Sequence, residues 1–175
     1  RIYLIFIAAL LMTGCSESFL DTEPLTKKVD ANFYQTPEDA TLALTAAYAV
    51  MPTVVPHQSF YMTSEVMSDD RFGGGGVNDI QIISTDAFKM SEESQYESAW
   101  TTYYQGIFRA NMLIQKLDQV EWDNEDQKGD IAGQAYFLRA LFYMDLARMF
   151  GQVPLVVETA PLNIPKTSPD SIWAQ

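Results

Sequence analysis

The sequence predicts a mostly α-helical fold in which a scaffold of paired helices carries one irregular loop region. Two long segments, Ser91 to Leu117 and Asp130 to Pro154, repeat apolar residues at spacings of three and four, the period of an amphipathic helix. Upstream of both, Pro56 to Met90 lacks this period and contains four consecutive glycines. With 175 residues, of which 47% are hydrophobic, the chain is long and apolar enough to bury one core.

The first fifteen residues have the composition of an export signal. Arg1 is followed by the apolar run Ile2 to Met12, and then by small residues and the only cysteine, Cys15. Because a helix needs about 20 residues to span a bilayer, this run is too short to cross one and fits a signal-peptide core. Gly14 directly before Cys15 resembles a bacterial lipobox, which implies that Cys15 is acylated. A buried helix start with a free thiol is the alternative.

Residues 16 to 35 lack a helical period and predict an extended tether, after which a helix begins. Thr36 is a suitable N-cap, Pro37 fits the first turn, and Asp39 stands where a capping-box acid reaches back. The predicted buried stripe of this helix consists of Ala40, Leu44, Ala47 and Met51. Pro52 is expected to end it.

The irregular region Pro56 to Met90 is where we expect binding groups, because loops on a rigid scaffold usually carry them. Its glycines, Gly73 to Gly76, do not predict a phosphate-binding loop, since no Lys-Ser or Lys-Thr follows them. His57 has no nucleophile or metal-ligand set near it in the sequence. The short β-branched run Ile80 to Ile83 is expected to pair locally.

Four acidic residues in this region raise the possibility of a calcium site: Glu65, Asp69, Asp70 and Asp79. Their spacing does not follow an EF-hand loop, and a solvated acidic loop is the preferred interpretation. We therefore expect no metal, no cofactor and no catalytic residue here.

The helix Ser91 to Leu117 carries two residues that interrupt an otherwise apolar face. Asn111, if buried, must be hydrogen-bonded to a neighbouring backbone group or to a side chain of the Asp130 helix. Gly106 weakens a helix relative to alanine by about 1 kcal/mol, so it is expected to permit close contact with another helix. The polar linker Asp118 to Gly129 is long enough for the two long helices to pack antiparallel.

The segment Asp130 to Pro154 shows two apolar stripes, which predict packing partners on two sides. The first stripe consists of Ile131, Ala135, Leu138, Phe142 and Leu146, and the second of Ala140, Met144 and Ala147. Small residues at Gly133, Ala140 and Ala147 predict that another helix can approach that flank. Arg139 and Arg148 are expected to form structural salt bridges or to extend their charged ends toward water, with ligand binding as the alternative.

Charge excludes nucleic acid as a partner. The chain carries 11 basic and 23 acidic residues, a formal charge of −12, and has no clustered Lys and Arg for phosphate contacts. The last residues, from Ser168, read as the start of a further helix capped by Ser168 or Asp170, with Ile172 and Trp173 on its apolar face. We therefore expect the sequence to be a fragment.

Several motifs together resemble the N-terminal part of the SusD/RagB family of outer-membrane lipoproteins. The pair of long helices is similar in its alanine and aromatic spacing to tetratricopeptide repeats, through Trp100, Tyr103, Ala140, Met144 and Ala147. The other motifs are Cys15 with FLDTEP (Phe19 to Pro24), FYQTPEDA (Phe33 to Ala40), SEVMSDD (Ser64 to Asp70), IFRAN (Ile107 to Asn111) and YFLRALFYMDLARMFGQVPLV (Tyr136 to Val156).

This resemblance implies a tetratricopeptide-like, right-handed α-α superhelix, with a signal peptide over residues 1–15 and a truncated N-terminal domain over residues 16–175. It also implies a non-enzymatic, lipid-anchored protein of the outer-membrane surface, where Ser16 after Cys15 resembles the sorting signal. Such a protein captures glycans or other nutrients for a SusC-like TonB-dependent transporter. Carried over by position, the ligand-binding candidates are Arg71, Phe72, Asn78 and Asp79.

Two other functions stay open at this point. A lipid-anchored helical-repeat scaffold would bind protein or peptide and no sugar. A surface glycoside hydrolase would need two carboxyl groups about 5 to 9 Å apart, and the sequence singles out no such pair among its acidic residues.

Overall fold

The structure, a computed structural model, describes residues 33–53, 60, 64–89, 95–159 and 163–174. The described helices are α1 (Pro37–Tyr48), α2 (Ile80–Asp86), α3 (Gln95–Lys116), α4 (Glu125–Phe150) and α5 (Pro169–Trp173), with a 3-10 turn at Leu117–Gln119. Strands β1 (Val153–Pro154) and β2 (Lys166–Thr167) pair antiparallel. These helices and strands belong to the unit Tyr34–Gln175. The mostly helical fold is confirmed, whereas Cys15 and His57 lie outside the described residues.

Helix α1 begins with the predicted capping box. Oγ1 of Thr36 accepts the backbone N–H of Asp39 at 3.3 Å, and Oδ2 of Asp39 accepts the backbone N–H of Thr36 at 3.3 Å. Pro37 occupies the first turn, where a missing N–H costs nothing. The buried face contains Ala40, Leu44 and Ala47, as expected. The helix ends at Tyr48, four residues before the expected proline, so Met51 lies beyond it and is only half-buried, contrary to the prediction.

Helices α3 and α4 form the centre of the fold and run antiparallel, as predicted. Trp100 near the start of α3 stacks edge-on against Phe150 at the end of α4, with ring centroids 5.0 Å apart. Further along α3, Asn111 accepts a hydrogen bond from Arg139, which lies earlier in α4. Helix α1 packs against both. The predicted α4 stripe from Ile131 to Leu146 is buried, so these three helices enclose the core.

Gly106 of α3 lies directly against Phe142 of α4. A Cβ atom placed on Gly106 would be 2.6 Å from Cε2 of Phe142, well inside van der Waals contact. The Phe142 ring is itself only 2% exposed, so it has little room to move. Close helix contact at this glycine is therefore confirmed.

A buried network of hydrogen bonds links the segment at and after the end of β1 to α3 and α4. Asn111 is fully buried, and its Nδ2 donates to the Val156 carbonyl at 2.8 Å while its Oδ1 accepts Nη1 of Arg139 at 2.9 Å. The Tyr143 hydroxyl donates to the same carbonyl at 3.0 Å and accepts the Val156 N–H at 2.6 Å. The Tyr104 hydroxyl donates to the Pro154 carbonyl at 2.7 Å. Asn111 therefore bonds to both partner types that the sequence predicts.

Burial disfavours ionisation of the phenols in this region. Desolvation raises the pKa of Tyr143 to about 12, although the backbone hydrogen bond from Val156 lowers it in part. Desolvation also raises the pKa of Tyr103, and the Asp145 carboxylate, which accepts its hydroxyl at 2.9 Å, raises it further. These hydroxyls consequently stay protonated, and able to donate hydrogen bonds, at pH values above the usual tyrosine pKa of about 10.

The two arginines of α4 take structural positions. Arg139 donates to Asn111, and its guanidinium carbon lies 5.1 Å from the centroid of the Tyr136 ring. The Arg148 side chain is 54% exposed and lies 4.0 Å from Asp145. Arg139 is thus half-buried with a partnered guanidinium, whereas Arg148 is exposed beside a carboxylate.

Three expectations about the helices need correction. Helix α4 begins at Glu125, because Oδ1 of Asn124 caps it by accepting the Gln127 N–H at 2.9 Å, so the linker is shorter than predicted. Ile80 to Ile83 does not pair as a strand but forms most of α2. The flank at Gly133 faces open space instead of another helix backbone within the part of the chain that is described.

Candidate functional site

The candidate site is built on α2 and the loop that precedes it. A turn joins the glycines to the helix, since the Gly76 N–H donates to Oδ2 of Asp79 at 2.9 Å and the Asp79 N–H donates to the Gly76 carbonyl at 2.9 Å. Asn78 lies in this turn and is exposed. Asp79 thereby fixes the direction in which the loop enters α2.

The other end of α2 holds a phenylalanine in an unusual backbone conformation. The Phe88 N–H donates to the Thr85 carbonyl at 3.1 Å and the Lys89 N–H donates to the Ser84 carbonyl at 2.7 Å, the two bonds of a Schellman motif. Its left-handed position, normally a glycine, is taken by Phe88 at φ 52°. This conformation costs a bulky residue roughly 1–2 kcal/mol, and the ring is nevertheless 65% exposed.

Gly73 allows the preceding loop to pack closely against α2. A Cβ atom placed there would lie 2.6 Å from Cβ of Asp86 and 2.8 Å from the Ile82 carbonyl oxygen, so only glycine fits without displacement. Gly76, by contrast, has no atom within 4 Å of such a Cβ. Close packing at Gly73 places its neighbours Arg71 and Phe72 beside the end of α2.

A groove of about 410 Å³ opens between this loop and the end of α2. Two exposed rings line it, Phe72 at 86% and Phe88 at 65%. Its remaining lining residues are Val66, Met67, Ser68, Asp69, Asp70, Arg71 and Asp86. We call this feature the loop groove; it combines aromatic faces with charged hydrogen-bonding groups.

The charges of the loop groove are predominantly negative. Asp69, Asp70 and Asp86 contribute carboxylates, and Nε of the one lining cation, Arg71, lies 3.2 Å from Oε2 of Glu65. Three carboxylates would therefore repel an anionic ligand, and the one arginine that could attract it already pairs with a carboxylate. A neutral ligand with many hydroxyl groups would find both hydrogen-bond acceptors and a donor.

The structure brings together only part of the predicted ligand set. Arg71 and Phe72 line the loop groove, whereas Asn78 and Asp79 lie at the opposite end of α2 and do not line it. Their role in ligand binding stays a prediction. No group of three or more His, Cys, Asp or Glu side chains within the described residues is placed to hold a metal ion.

A matched pair of glycine substitutions tests how the loop is held. Gly73→Ala is expected to lower the free energy of unfolding by about 1–3 kcal/mol, because the new methyl group must displace backbone and Cβ atoms. Gly76→Ala should change it by less than about 0.5 kcal/mol, since open space surrounds that position. Urea titration followed by circular dichroism measures both, and equal stabilities would contradict the close packing at Gly73.

Comparison with known proteins places this architecture in a family. The model of a SusD-like family, described as "Starch-binding associating with outer membrane", matches residues 18–170. The chain belongs to the SusD-like family. The matched range contains every residue of the loop groove.

Two SusD-like relatives from Formosa agariphila illustrate the likeness in sequence. SusD-like protein P38 is 32% identical over 154 residues, which cover 87% of this chain and 29% of that protein. SusD-like protein P2 is 30% identical over 158 residues, covering 86% of this chain and 30% of that protein. The chain thus spans less than a third of the length of these relatives.

Solved SusD-like structures share the fold. A laminarin-binding SusD-like protein superimposes with a TM-score of 0.68 at 30% identity, over 81% of this chain and 32% of its own. Surface glycan-binding protein A from Bacteroides fluxus gives a TM-score of 0.70 at 26% identity, over 80% of this chain and 31% of its own. The predicted tetratricopeptide-like helical fold is confirmed by these neighbours. No described helix is both long and apolar enough to cross a bilayer.

Sequence reasoning missed Phe88 and Asp86 as members of the site. Both residues follow the run Ile80 to Ile83, which was expected to pair locally. The sequence therefore provided no reason to place either of them next to Phe72. One signal was available in the sequence, since Phe88 follows the apolar run Ile80 to Ile83 and directly precedes Lys89. An aromatic residue next to a charged one is expected to be exposed, and binding loops carry exposed aromatic residues.

Proposed function

We propose that this protein is a surface lipoprotein that binds neutral glycans in the loop groove and delivers them to a SusC-like TonB-dependent outer-membrane transporter. The observation that carries the proposal is the placement of two exposed rings, Phe72 and Phe88, on one groove lined with carboxylates. The family description names starch binding and association with the outer membrane, and two structural neighbours are named for laminarin and glycan binding.

The chemistry of the groove suits a sugar. The C–H faces of a pyranose ring are apolar and stack on aromatic rings, as Phe72 and Phe88 would allow. The hydroxyl groups around the ring edge donate to carboxylates such as Asp69 and Asp86, and they accept from a guanidinium such as Arg71. Stacking fixes the plane of the sugar, and hydrogen bonds select its orientation.

Membrane association is proposed to rest on acylation of Cys15, which lies outside the described residues. A multiply acylated cysteine supplies the two or more chains that stable anchoring needs, at roughly 0.8 kcal/mol per buried methylene. An anchor of this kind would hold the loop groove at the outer-membrane surface, where a transporter receives the ligand.

Ligand charge provides the test of the proposed function. With protein from the complete reading frame, calorimetry is expected to detect binding of a neutral glucan, laminarin or a malto-oligosaccharide, and at least about tenfold weaker binding of oligogalacturonate, because the groove carboxylates repel its charges. No reducing ends should be released from the neutral glucan. Preference for oligogalacturonate would contradict the proposed ligand class, and release of reducing ends would identify a hydrolase.

A further inference from the structure

Among the residues that the structure describes, two that are not glycine have a left-handed backbone, and their side chains differ in burial. Tyr34 has a φ of 63° and Phe88 a φ of 52°. Tyr34 is 8% exposed, so burial of its ring offsets the cost of the backbone conformation. Phe88 is 65% exposed and gains little from burial. Packing therefore explains the left-handed backbone of Tyr34 but not that of Phe88.

The left-handed position at Phe88 is one that glycine would fill without strain. The carbonyls of Ser84 and Thr85 accept the N–H groups of Lys89 and Phe88, and helices that end in this way usually have glycine at the left-handed residue. Glycine lacks the Cβ atom that causes the steric cost. A phenylalanine at this position therefore lowers stability relative to glycine.

The strained residue is the one that reaches the loop groove. Ala87, Phe88 and Lys89 are three consecutive exposed residues at the end of α2, and of these three only Phe88 lines the groove. Ala87 has a φ of −81°, which an L-residue adopts without strain. Residues held in unfavourable backbone conformations are concentrated at ligand-binding sites, where the strain positions a functional group. The backbone of Phe88 thus accounts for the place of its ring.

The other ring of the loop groove is also placed by the backbone of a short segment. The Gly74 N–H donates to the Phe72 carbonyl at 2.9 Å. A Cβ atom placed on Gly74 would lie 3.0 Å from Cδ1 and 3.1 Å from Cε1 of Phe72, so the ring rests against this glycine. Both exposed rings are therefore positioned in the structure without a ligand.

We propose that Phe88 is a ligand-positioning residue whose left-handed backbone holds its ring in the loop groove before the ligand binds, at the expense of stability. The inference rests on the proposed glycan-binding function. A ring that is already in place avoids part of the entropy cost of ordering a side chain on binding. Its fixed position relative to Phe72 favours glycans that contact both rings.

Glycine and alanine at position 88 separate the effect of the ring from that of the strain. Both substitutions remove the ring, but only Phe88→Gly also relieves the left-handed backbone. In protein from the complete reading frame, Phe88→Gly is expected to melt about 1–3 °C above Phe88→Ala and no lower than the wild type. Ala87→Gly, at an unstrained position, should lower the melting temperature instead.

Two outcomes of these melting experiments would overturn the inference. Equal melting temperatures for Phe88→Gly and Phe88→Ala would show that the backbone at this position carries no strain. A melting temperature of Phe88→Gly below that of the wild type would show that packing of the ring outweighs the strain, so that the conformation is structural.

Moving the ring by one residue tests whether its strained position matters for binding. The variant Ala87→Phe combined with Phe88→Gly keeps a phenylalanine at the end of α2 on an unstrained backbone. Calorimetric titration with the neutral glucan that binds the wild type best should give a dissociation constant about threefold to tenfold weaker, as for Phe88→Gly alone. Wild-type affinity in the variant with the moved ring would overturn the inference and leave the glycan site in place. A wild-type protein that binds no neutral glucan would instead refute the proposed function, and this inference with it.

Discussion

Phe142→Ala is expected to lower the free energy of unfolding by about 3–5 kcal/mol, the cost of a cavity left by a buried phenylalanine. Phe142 is 2% exposed and lies against Gly106 between α3 and α4. Gly106→Ala in the wild-type background should also destabilise the protein, because its methyl group would lie 2.6 Å from the Phe142 ring. The helix propensity gained, about 1 kcal/mol, is smaller than a typical overpacking cost.

The combination of the two substitutions distinguishes close packing from a general effect on the helices. In the Phe142→Ala background, Gly106→Ala should raise the free energy of unfolding by about 1 kcal/mol, because the steric conflict is gone and the propensity gain remains. Urea unfolding of the four proteins measures the coupling. Phe108→Ala is the matched control for Phe142→Ala, since the Phe108 ring is 51% exposed on α3 and its loss should not change the effect of Gly106→Ala. If Gly106→Ala changes the free energy of unfolding equally in the wild-type and Phe142→Ala proteins, the contact between Gly106 and Phe142 is refuted.

Asn111→Leu is expected to destabilise the protein by about 2–4 kcal/mol. Leucine has a similar size but removes the donor to the Val156 carbonyl and the acceptor for Arg139. The half-buried Arg139 guanidinium then loses its partner, and a charged group left without one in a buried site is costly. The Tyr143 hydroxyl still bonds to Val156, so the segment after β1 should loosen without detaching.

Gln115 supplies the control for that substitution. It lies one turn further along α3, is exposed, and accepts a hydrogen bond from the Thr159 hydroxyl at 2.7 Å. Gln115→Leu removes an amide of the same kind from the surface and should change stability by less than about 0.5 kcal/mol. Thermal unfolding followed by circular dichroism compares the two variants. A loss for Asn111→Leu no larger than that for Gln115→Leu would show that the buried network contributes little.

The central helices were predictable because local sequence and tertiary packing favour the same structure there. The apolar period of α4 coincides with its buried face from Ile131 to Leu146. Thr36 and Asp39 specify the start of α1 through local hydrogen bonds, and Pro37 favours the first turn through its fixed backbone angle. Gly106 and Asn111 were recognisable as exceptions within an apolar stripe, and both exceptions have packing or hydrogen-bonding partners on α4 or after it.

Helix α2 was predicted wrongly because its apolar residues favour a strand when considered alone. Three isoleucines within Ile80 to Ile83 have high strand propensity, yet the Asp79 turn and the Schellman motif at Phe88 enclose a short helix between them. A seven-residue helix gives too few turns for a period to be seen in the sequence. Tertiary context therefore decided the structure at this position.

The loop groove was only half predictable because it joins residues that are distant in sequence. Arg71 and Phe72 follow the SEVMSDD motif, while Asp86 and Phe88 lie across a helix whose length and direction were not known. The sequence does not distinguish Gly73 from the three glycines that follow it, and the structure shows that Gly73 permits close contact with α2. Contacts of this kind depend on three-dimensional geometry that residue types do not specify.

The affinity of a variant lacking both groove rings is the most direct test of the proposed glycan site. Calorimetric titration with the neutral glucan that binds best should give a dissociation constant about tenfold to hundredfold weaker for Phe72→Ala combined with Phe88→Ala, because two stacking surfaces are lost. Phe108→Ala, a ring exposed outside the loop groove, should bind like the wild type. Unchanged affinity in the double variant, with its folding intact by circular dichroism, would contradict glycan binding in the loop groove.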